Sequence, residues 1–198
     1  MQKYDCVILG GGIVGLSVAW AILERKPDIR VTVLEKEDDW AQHQTGRNSG
    51  VIHSAIYYKP GSLKAKLCRE GNRRLVEFCD LYGVPYEACG KVIAATTASE
   101  LPLLERLYGR GIANELAVRK LAASEMNEIE PHVSCLAGIH VPSTGIVDFA
   151  AVCRKLAQLI AARGGQLRLG TKVLGLRTNE KEGVLETSQG AFAAPLDH

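Results

Sequence analysis

No uninterrupted apolar run in this sequence approaches the roughly 20 residues that a membrane-spanning helix needs. The chain is therefore expected to be soluble or at most peripheral at a membrane. The first apolar stretch, Cys6 to Leu9, is also too short for the apolar region of a secretory signal. Cysteine pairing signals are missing as well. Cys6, Cys68, Cys79, Cys89, Cys135 and Cys153 include no CxxC pair and have no histidine cluster beside them, which argues against zinc. Scattered thiols without a signal peptide fit a reducing cytoplasm. There is no excess of one charge: 24 Lys and Arg against 22 Asp and Glu leave +2, which gives no reason to expect nucleic acid as a partner. Internal repeats are absent. What remains is an ordinary composition, 46% hydrophobic and 23% charged over 198 residues, enough to bury a real core.

The local patterns alternate between strand and helix. Tyr4 to Leu9 predicts a buried strand ending at a glycine cluster, and Ile13 to Lys26 a helix stopped by Pro27 and Asp28. A second apolar strand, Ile29 to Leu34, ends at Glu35 and completes a βαβ unit of the expected size, about thirty residues. Lys36 to Gly61 shows no period, and a loop that long in a domain of this kind points to function. Ser62 should cap a long helix with Leu63, Leu67, Leu75, Phe78 and Tyr82 on its buried face and Gly83 at its end. Short strands are expected at 85–87 and 91–96. A helix capped by Ser99 follows, with Pro102 in its first turn. After a strand at 137–141, Asp148 should cap a helix over Phe149 to Arg163 that closes at Gly164 and Gly165. Strands at 166–169, 172–177 and 184–187 come last. A further one begins near Ala191 and meets Pro195, a poor residue for continuing a central strand.

Gly10, Gly12, Ile13, Val14 and Gly15 belong to a GxGxxG motif set between a strand and a helix. In such a motif the first glycine makes the tight turn, the second lets backbone approach a pyrophosphate, and the third lets helix pack closely on strand. The helix N-terminus then offers free N–H groups to the phosphates. Glu35, at the end of the second strand, is positioned to accept hydrogen bonds from an adenosine ribose, with Lys36 beside it as a further cofactor contact. An acid there disfavours the 2′-phosphate of NADP. The motif by itself leaves NAD and FAD open.

The second informative block runs from Thr45 to Cys68, TGRNSGVIHSAIYYKPGSLKAKLC. Together with YDCVILGGGIVGLSVA, CGKVIAAT, the EPHV to GIHVPSTGIVDF region and RGGQLRLGTKV, it resembles the L-2-hydroxyglutarate oxidase/dehydrogenase group of the FAD-dependent D-amino-acid-oxidase-like superfamily. The resemblance implies an α/β fold: a Rossmann-type FAD-binding domain of a GR2-like flavoprotein, with the start of a mixed-sheet substrate domain. Residues 1–83 would hold the FAD-binding unit, the flavin loop and the following helix. Residues 84–145 would begin the substrate domain, and 146–198 would return to the FAD-binding domain. It also implies FAD as cofactor, contacted by Thr45, Asn48, Ser49, Gly50, Val51 and, in the TKV strand, Val173.

The implied reaction is oxidation of a 2-hydroxy dicarboxylate to a 2-oxo acid, the electrons leaving to oxygen or a quinone. His53 is the candidate general base, because its ordinary pKa suits proton transfer; it can equally hold the loop without transferring a proton. Arg47 stands where the family has histidine and places a fixed cation near a dicarboxylate site. Tyr57, Tyr58 and Lys59 are candidate substrate contacts, with packing as the plainer role for the tyrosines. Lys59, Lys64, Lys66, Arg69, Arg73 and Arg74 against Glu70 form a basic patch, either a solvated helix face or a surface for anions and anionic lipid heads. Since the family continues well past residue 198, the chain is expected to be its N-terminal portion, with Ala194 to His198 an irregular ending. Three functional readings follow: a 2-hydroxy-acid flavoenzyme, a related amine or glycerol-phosphate oxidase, and a non-catalytic FAD-binding fragment.

Overall fold

The computed structural model describes residues 1–179 and 182–195; of the ending expected to be irregular from Ala194 to His198, Leu196 to His198 lie outside the described residues. The chain opens with β1 (Gln2–Lys3), β2 (Cys6–Leu9), α1 (Ile13–Arg25) and β3 (Val31–Leu34). Then come β4 (Val51–Ile52), α2 (Leu63–Tyr82), β5 (Tyr86–Glu87), β6 (Val92–Ala95), α3 (Leu101–Ala113), β7 (Arg119–Ala122), α4 (Ala123–Ile129), β8 (Ala137–His140) and β9 (Gly145–Val147). The last stretch holds α5 (Phe149–Ala162), β10 (Gln166–Arg168), β11 (Val173–Thr178), β12 (Glu182–Thr187) and β13 (Gly190–Pro195).

These elements form two compact units, Met1–Ser49 with Asp148–His198, and Gly50–Val147. The chain returns to the first unit at Asp148. The first boundary differs: it lies after Ser49 rather than after Gly83, so α2 belongs to the second unit. The reason is visible in its polar bonds. Asn72 donates to the carbonyls of His53 and Ser143, and Arg69 pairs with Glu115, all within Gly50–Val147.

In the first unit β3 lies between β2 and β10 in a parallel sheet, and all four of its residues are buried. Helices α1 and α5 pack against each other, α1 also on β3 and β2, and α5 on β10. Leu16, Ala19, Trp20 and Leu23 of α1 and Val152, Cys153, Leu156, Ala157 and Ile160 of α5 are their buried positions. Asp148 caps α5 as expected, accepting the Ala150 N–H at 2.8 Å. A second sheet, β1-β13-β12-β11, packs through Leu185 and Phe192 onto Tyr4 and Leu34, with Val7 and Val173 at the margin. Burying each large apolar side chain of that cluster contributes about 1.5–3 kcal/mol. The strand expected near Ala191 is β13, a central strand between β1 and β12. Pro195 is its last residue, past the stretch paired with β1, so the missing N–H falls where no β1 partner stands.

The second unit has two three-stranded antiparallel sheets, β4-β9-β5 and β6-β8-β7. Ile56, Ile139 and Val141 form a core cluster, with Leu104, Leu107 and Tyr108 of α3 packed on it. Ser62 caps α2 through the Ala65 N–H at 3.3 Å, and Gly83 ends it with a left-handed φ of 66°. The expected buried face of α2 is only partly correct. Leu63 and Leu67 are 70% and 61% exposed, and the fully buried positions are Ala65 and Cys79. The cap assigned to Ser99 is instead Thr97, two residues earlier, where a capping box with Glu100 opens a 3₁₀ turn that leads into α3. Strand β7 and helix α4 have no counterpart in the sequence reading.

Candidate functional site

The glycine turn of the first unit is built as its residues dictate. Gly10 has φ 104°, a conformation only glycine adopts freely, and its N–H donates to the Leu34 carbonyl at 2.8 Å. A Cβ at Gly15 would overlap the Gly10 carbonyl oxygen and come within 3.3 Å of Ile8 Cγ2, so this glycine allows α1 to lie against β2. The first helical bond of α1 runs from the Leu16 N–H to Gly12. Ahead of it, the Ile13 N–H is held by Thr45 Oγ1 at 3.1 Å, and the Val14 and Gly15 N–H groups have no intrahelical acceptor. No acidic residue sits in the first turn of α1, and an anion is favoured there.

Glu35 is buried, and both of its carboxylate oxygens are engaged. Oε2 accepts the Gly11 N–H at 2.6 Å and Oε1 accepts the Glu37 N–H at 3.0 Å. Each oxygen keeps a further lone pair for a ribose hydroxyl. The backbone of the same residue joins distant segments: its N–H donates to the Arg168 carbonyl and its carbonyl accepts the Thr171 N–H.

Around these groups lies a cleft of about 680 Å³. It gathers Gly10, Gly12, Ile13, Val14, Gly15, Glu35, Lys36, Thr45 and Val173 from the expected cofactor contacts. Asn48 and Ser49 are not among its lining residues. Asn48 instead donates to the Thr45 carbonyl at 2.7 Å and so holds the turn that presents Thr45. Gly50 and Val51 belong to the second unit, where Gly50 accepts the Val147 N–H and Val51 pairs with Ile146. Sequence reasoning missed Ala41, Gln42, His43, Gln44, Thr171 and Lys172, which also line the cleft. His43 Nε2 lies 2.8 Å from Glu37 Oε1, and that contact together with Lys36 holds the Glu37 carboxyl below its ordinary range. The cleft fits a dinucleotide by its donor set: free amides at a helix N-terminus, a glycine turn without side chains, and a buried acid.

In the second unit the segment from His53 to Lys59 is held by its backbone. The carbonyl of His53 accepts from Asn72 Nδ2 at 3.1 Å and from the Cys68 thiol at 3.5 Å. Its imidazole is exposed and makes no hydrogen bond among the described residues. Buried Asn114 donates to the carbonyls of Ala55 and Tyr58, and Arg110 to that of Tyr57. Tyr57 and Tyr58 are 52% and 38% exposed, so they are not core packing. Arg47 is exposed and lies in the first unit, apart in the chain's division from His53, Tyr57, Tyr58 and Lys59.

The basic patch on α2 is more balanced than its sequence implies. Glu70 pairs with both Arg73 and Arg74, Glu77 with Arg73, and Glu115 with Arg69. The two guanidiniums hold the Glu70 carboxyl down at about 2. Among the described residues there is no cluster of His, Cys, Asp or Glu suited to a metal ion, and no helix long and apolar enough to cross a membrane.

Residues 5–195 match the family described as FAD dependent oxidoreductase. The chain is 47% identical over 196 residues to the L-2-hydroxyglutarate dehydrogenase of Indibacter alkaliphilus, covering 98% of this chain and 49% of that protein. With the protein of the same name from Escherichia coli it shares 45% over 187 residues, covering 94% and 44%. The chain thus spans about half the length of the curated relatives it matches. Among solved structures, the FAD-bound L-alpha-glycerophosphate oxidase of Mycoplasma pneumoniae has a TM-score of 0.90 at 26% identity, covering 98% of this chain and 53% of that one.

Proposed function

The chain belongs to the FAD dependent oxidoreductase family, and from that premise we propose that it forms the FAD-binding part of an enzyme oxidising L-2-hydroxyglutarate to 2-oxoglutarate. The observation that carries this reading is the cleft joining the amides of α1, the carboxylate of Glu35 and the turn Thr171 to Val173 in one dinucleotide-sized space. The choice of substrate rests on the name shared by relatives 45–47% identical to this chain. A glycerol-phosphate substrate has the weaker support of a solved relative at 26%.

FAD, when bound, supplies the hydride acceptor at its flavin N5. The amides of Val14 and Gly15 and the hydroxyl of Thr45, whose turn Asn48 holds, would hold its pyrophosphate, Glu35 its ribose and Val173 its adenine, with Lys36 as a further contact. Loss of hydride from C2 of a hydroxy acid requires a base for the hydroxyl proton. The unpartnered imidazole of His53 is our candidate. Tyr57, Tyr58 and Lys59 are assigned to the substrate carboxylates. The acceptor that reoxidises the cofactor is oxygen or a quinone, and a quinone would entail peripheral contact with the inner membrane.

The test begins with the visible spectrum of the purified chain after incubation with FAD and removal of free cofactor. Retained flavin followed by anaerobic bleaching with L-2-hydroxyglutarate is the expected result. Bleaching by an amine or glycerol phosphate alone would overturn the substrate assignment, and no retained flavin would make this chain a non-catalytic fragment. His53→Gln should slow flavin reduction roughly 10²–10⁴-fold. An unchanged rate would leave His53 as a loop residue.

A further inference from the structure

A cavity of about 450 Å³ lies wholly within Gly50–Val147, against α2. Lys66, Arg69 and Arg73 line it, and their spacing of i, i+3 and i+7 puts all three on one face of the helix. Ser54 and Ser143 also belong to its lining. Asn72 ties their segments to α2, donating to the carbonyls of His53 and Ser143 at 3.1 and 2.8 Å. The walls are therefore braced against each other before any ligand arrives.

Charge is the first property that singles this cavity out. Glu70, also in the lining, is shared by Arg73 and Arg74, while Glu77 pairs with Arg73 and Glu115 with Arg69. Lys66 has no carboxylate in ion-pair reach among the described residues. The paired guanidiniums keep donors in reserve. Arg69 uses one on Glu115 and Arg73 uses three on Glu70 and Glu77, out of five each. Exposed ion pairs of this kind hold weakly, so both arginines can also serve a second anion.

The second property is an unmet donor. Ser54 is 2% exposed, and its hydroxyl has no hydrogen-bond partner among the described residues. Burying a hydroxyl without a partner is costly, and an acceptor seated in the cavity removes that cost. Three cations on one face and a waiting hydroxyl suit an anion with several acceptor oxygens. A phosphate monoester offers three, spread tetrahedrally, whereas a carboxylate offers two in one plane.

We propose that this cavity binds a free phosphate group, inorganic or on a small monoester, through Lys66, Arg69, Arg73 and Ser54. The site is independent of the flavin reading, since the dinucleotide cleft belongs wholly to the other unit. The test is calorimetric titration of the FAD-supplemented chain with inorganic phosphate at low salt, which should show a saturable site. Lys66→Gln should weaken it roughly 10- to 100-fold, the size of a lost charge-assisted bond. Ser54→Ala should weaken it roughly 3- to 10-fold, the size of a lost neutral one. The same alanine should leave the thermal midpoint of the phosphate-free chain unchanged or raised, because it removes an unpaired buried hydroxyl. Binding is thereby separated from folding. Acetate should bind at least about 10-fold more weakly than phosphate. Phosphate binding undiminished in either variant, or equal binding of acetate, would overturn the proposal. Binding that FAD abolishes and Lys66→Gln leaves intact would place the anion in the dinucleotide cleft and overturn it too. Lys66-dependent sedimentation with phosphatidylglycerol vesicles, without binding of inorganic phosphate, would assign these cations to a lipid headgroup and remove the free-ligand site.

Discussion

A carboxylate that accepts two backbone amides cannot exchange one oxygen for an NH₂ group without loss. Glu35 is in that position, between the N–H groups of Gly11 and Glu37. In Glu35→Gln one of these amides would face a donor, and leaving a buried donor unsatisfied costs about 1–3 kcal/mol. Thermal melts of the cofactor-free variant should therefore show a lowered midpoint even before any ribose contact is lost. An unchanged midpoint would mean that the glycine turn does not depend on this carboxylate. The acid at the end of β3 was legible in the sequence because the strand, the turn and their spacing are local. Its second task was not legible, because the Gly11 amide joins the neighbouring Glu37 amide on it only when the chain folds back. Gly11 shows the same limit: a Cβ there would overlap the Trp40 ring, a neighbour that no local pattern announces.

At the scale of elements, capping was read well where one side chain and its own helix suffice. Asp148 and Ser62 both accept an N–H from the first turn that follows them. Asp148→Ala should cost about 0.5–2 kcal/mol in urea unfolding. Because α5 stands against α1 rather than in the cleft, flavin retention should survive the change. A variant that loses flavin at undiminished stability would contradict that division of roles. Burial was harder to read than capping. Leu63 and Leu67 fit an apolar stripe, yet they lie open, and the small residues Ala65 and Cys79 face inward. Periodicity finds a face, but the partner elements decide how much of it is covered. Arg119 to Ile129, which folds as β7 and α4, mixes charged and apolar residues with no clear period. Strand pairing with β8 and a bond from the Ala122 N–H to Glu125 organise it.

Across the whole molecule, burial sets the reactivity of the thiols. Cys153 is fully enclosed, and its thiol is pushed up to about 12, while Cys89 is exposed. A thiol reagent at neutral pH should modify Cys89 first and reach Cys153 only on unfolding. The linkage has a definite sign. The folded Cys153 thiol keeps its proton above the ordinary value of 9.0, so its contribution to stability declines as pH rises from there towards about 12. Denaturant midpoints measured across that window, against Cys153→Ser, would check it.

The βαβ start, the glycine turn, the acid at its edge and the Ser62 and Asp148 caps were determined by the sequence itself, since each depends on residues within a few turns of one another. The tertiary structure alone decided that Thr171 and Lys172 share a cleft with Gly10, and that β13 takes its place between β1 and β12. It alone assigned α2 to the unit that holds His53 and set the Lys91 ammonium over the Tyr57 ring. The physical reason is the range of the forces involved. Dihedral preference, capping and hydrophobic period act between near neighbours in the chain. The bonds that build the cleft, such as the Glu35 N–H to the Arg168 carbonyl at 2.8 Å, join segments that meet only after folding.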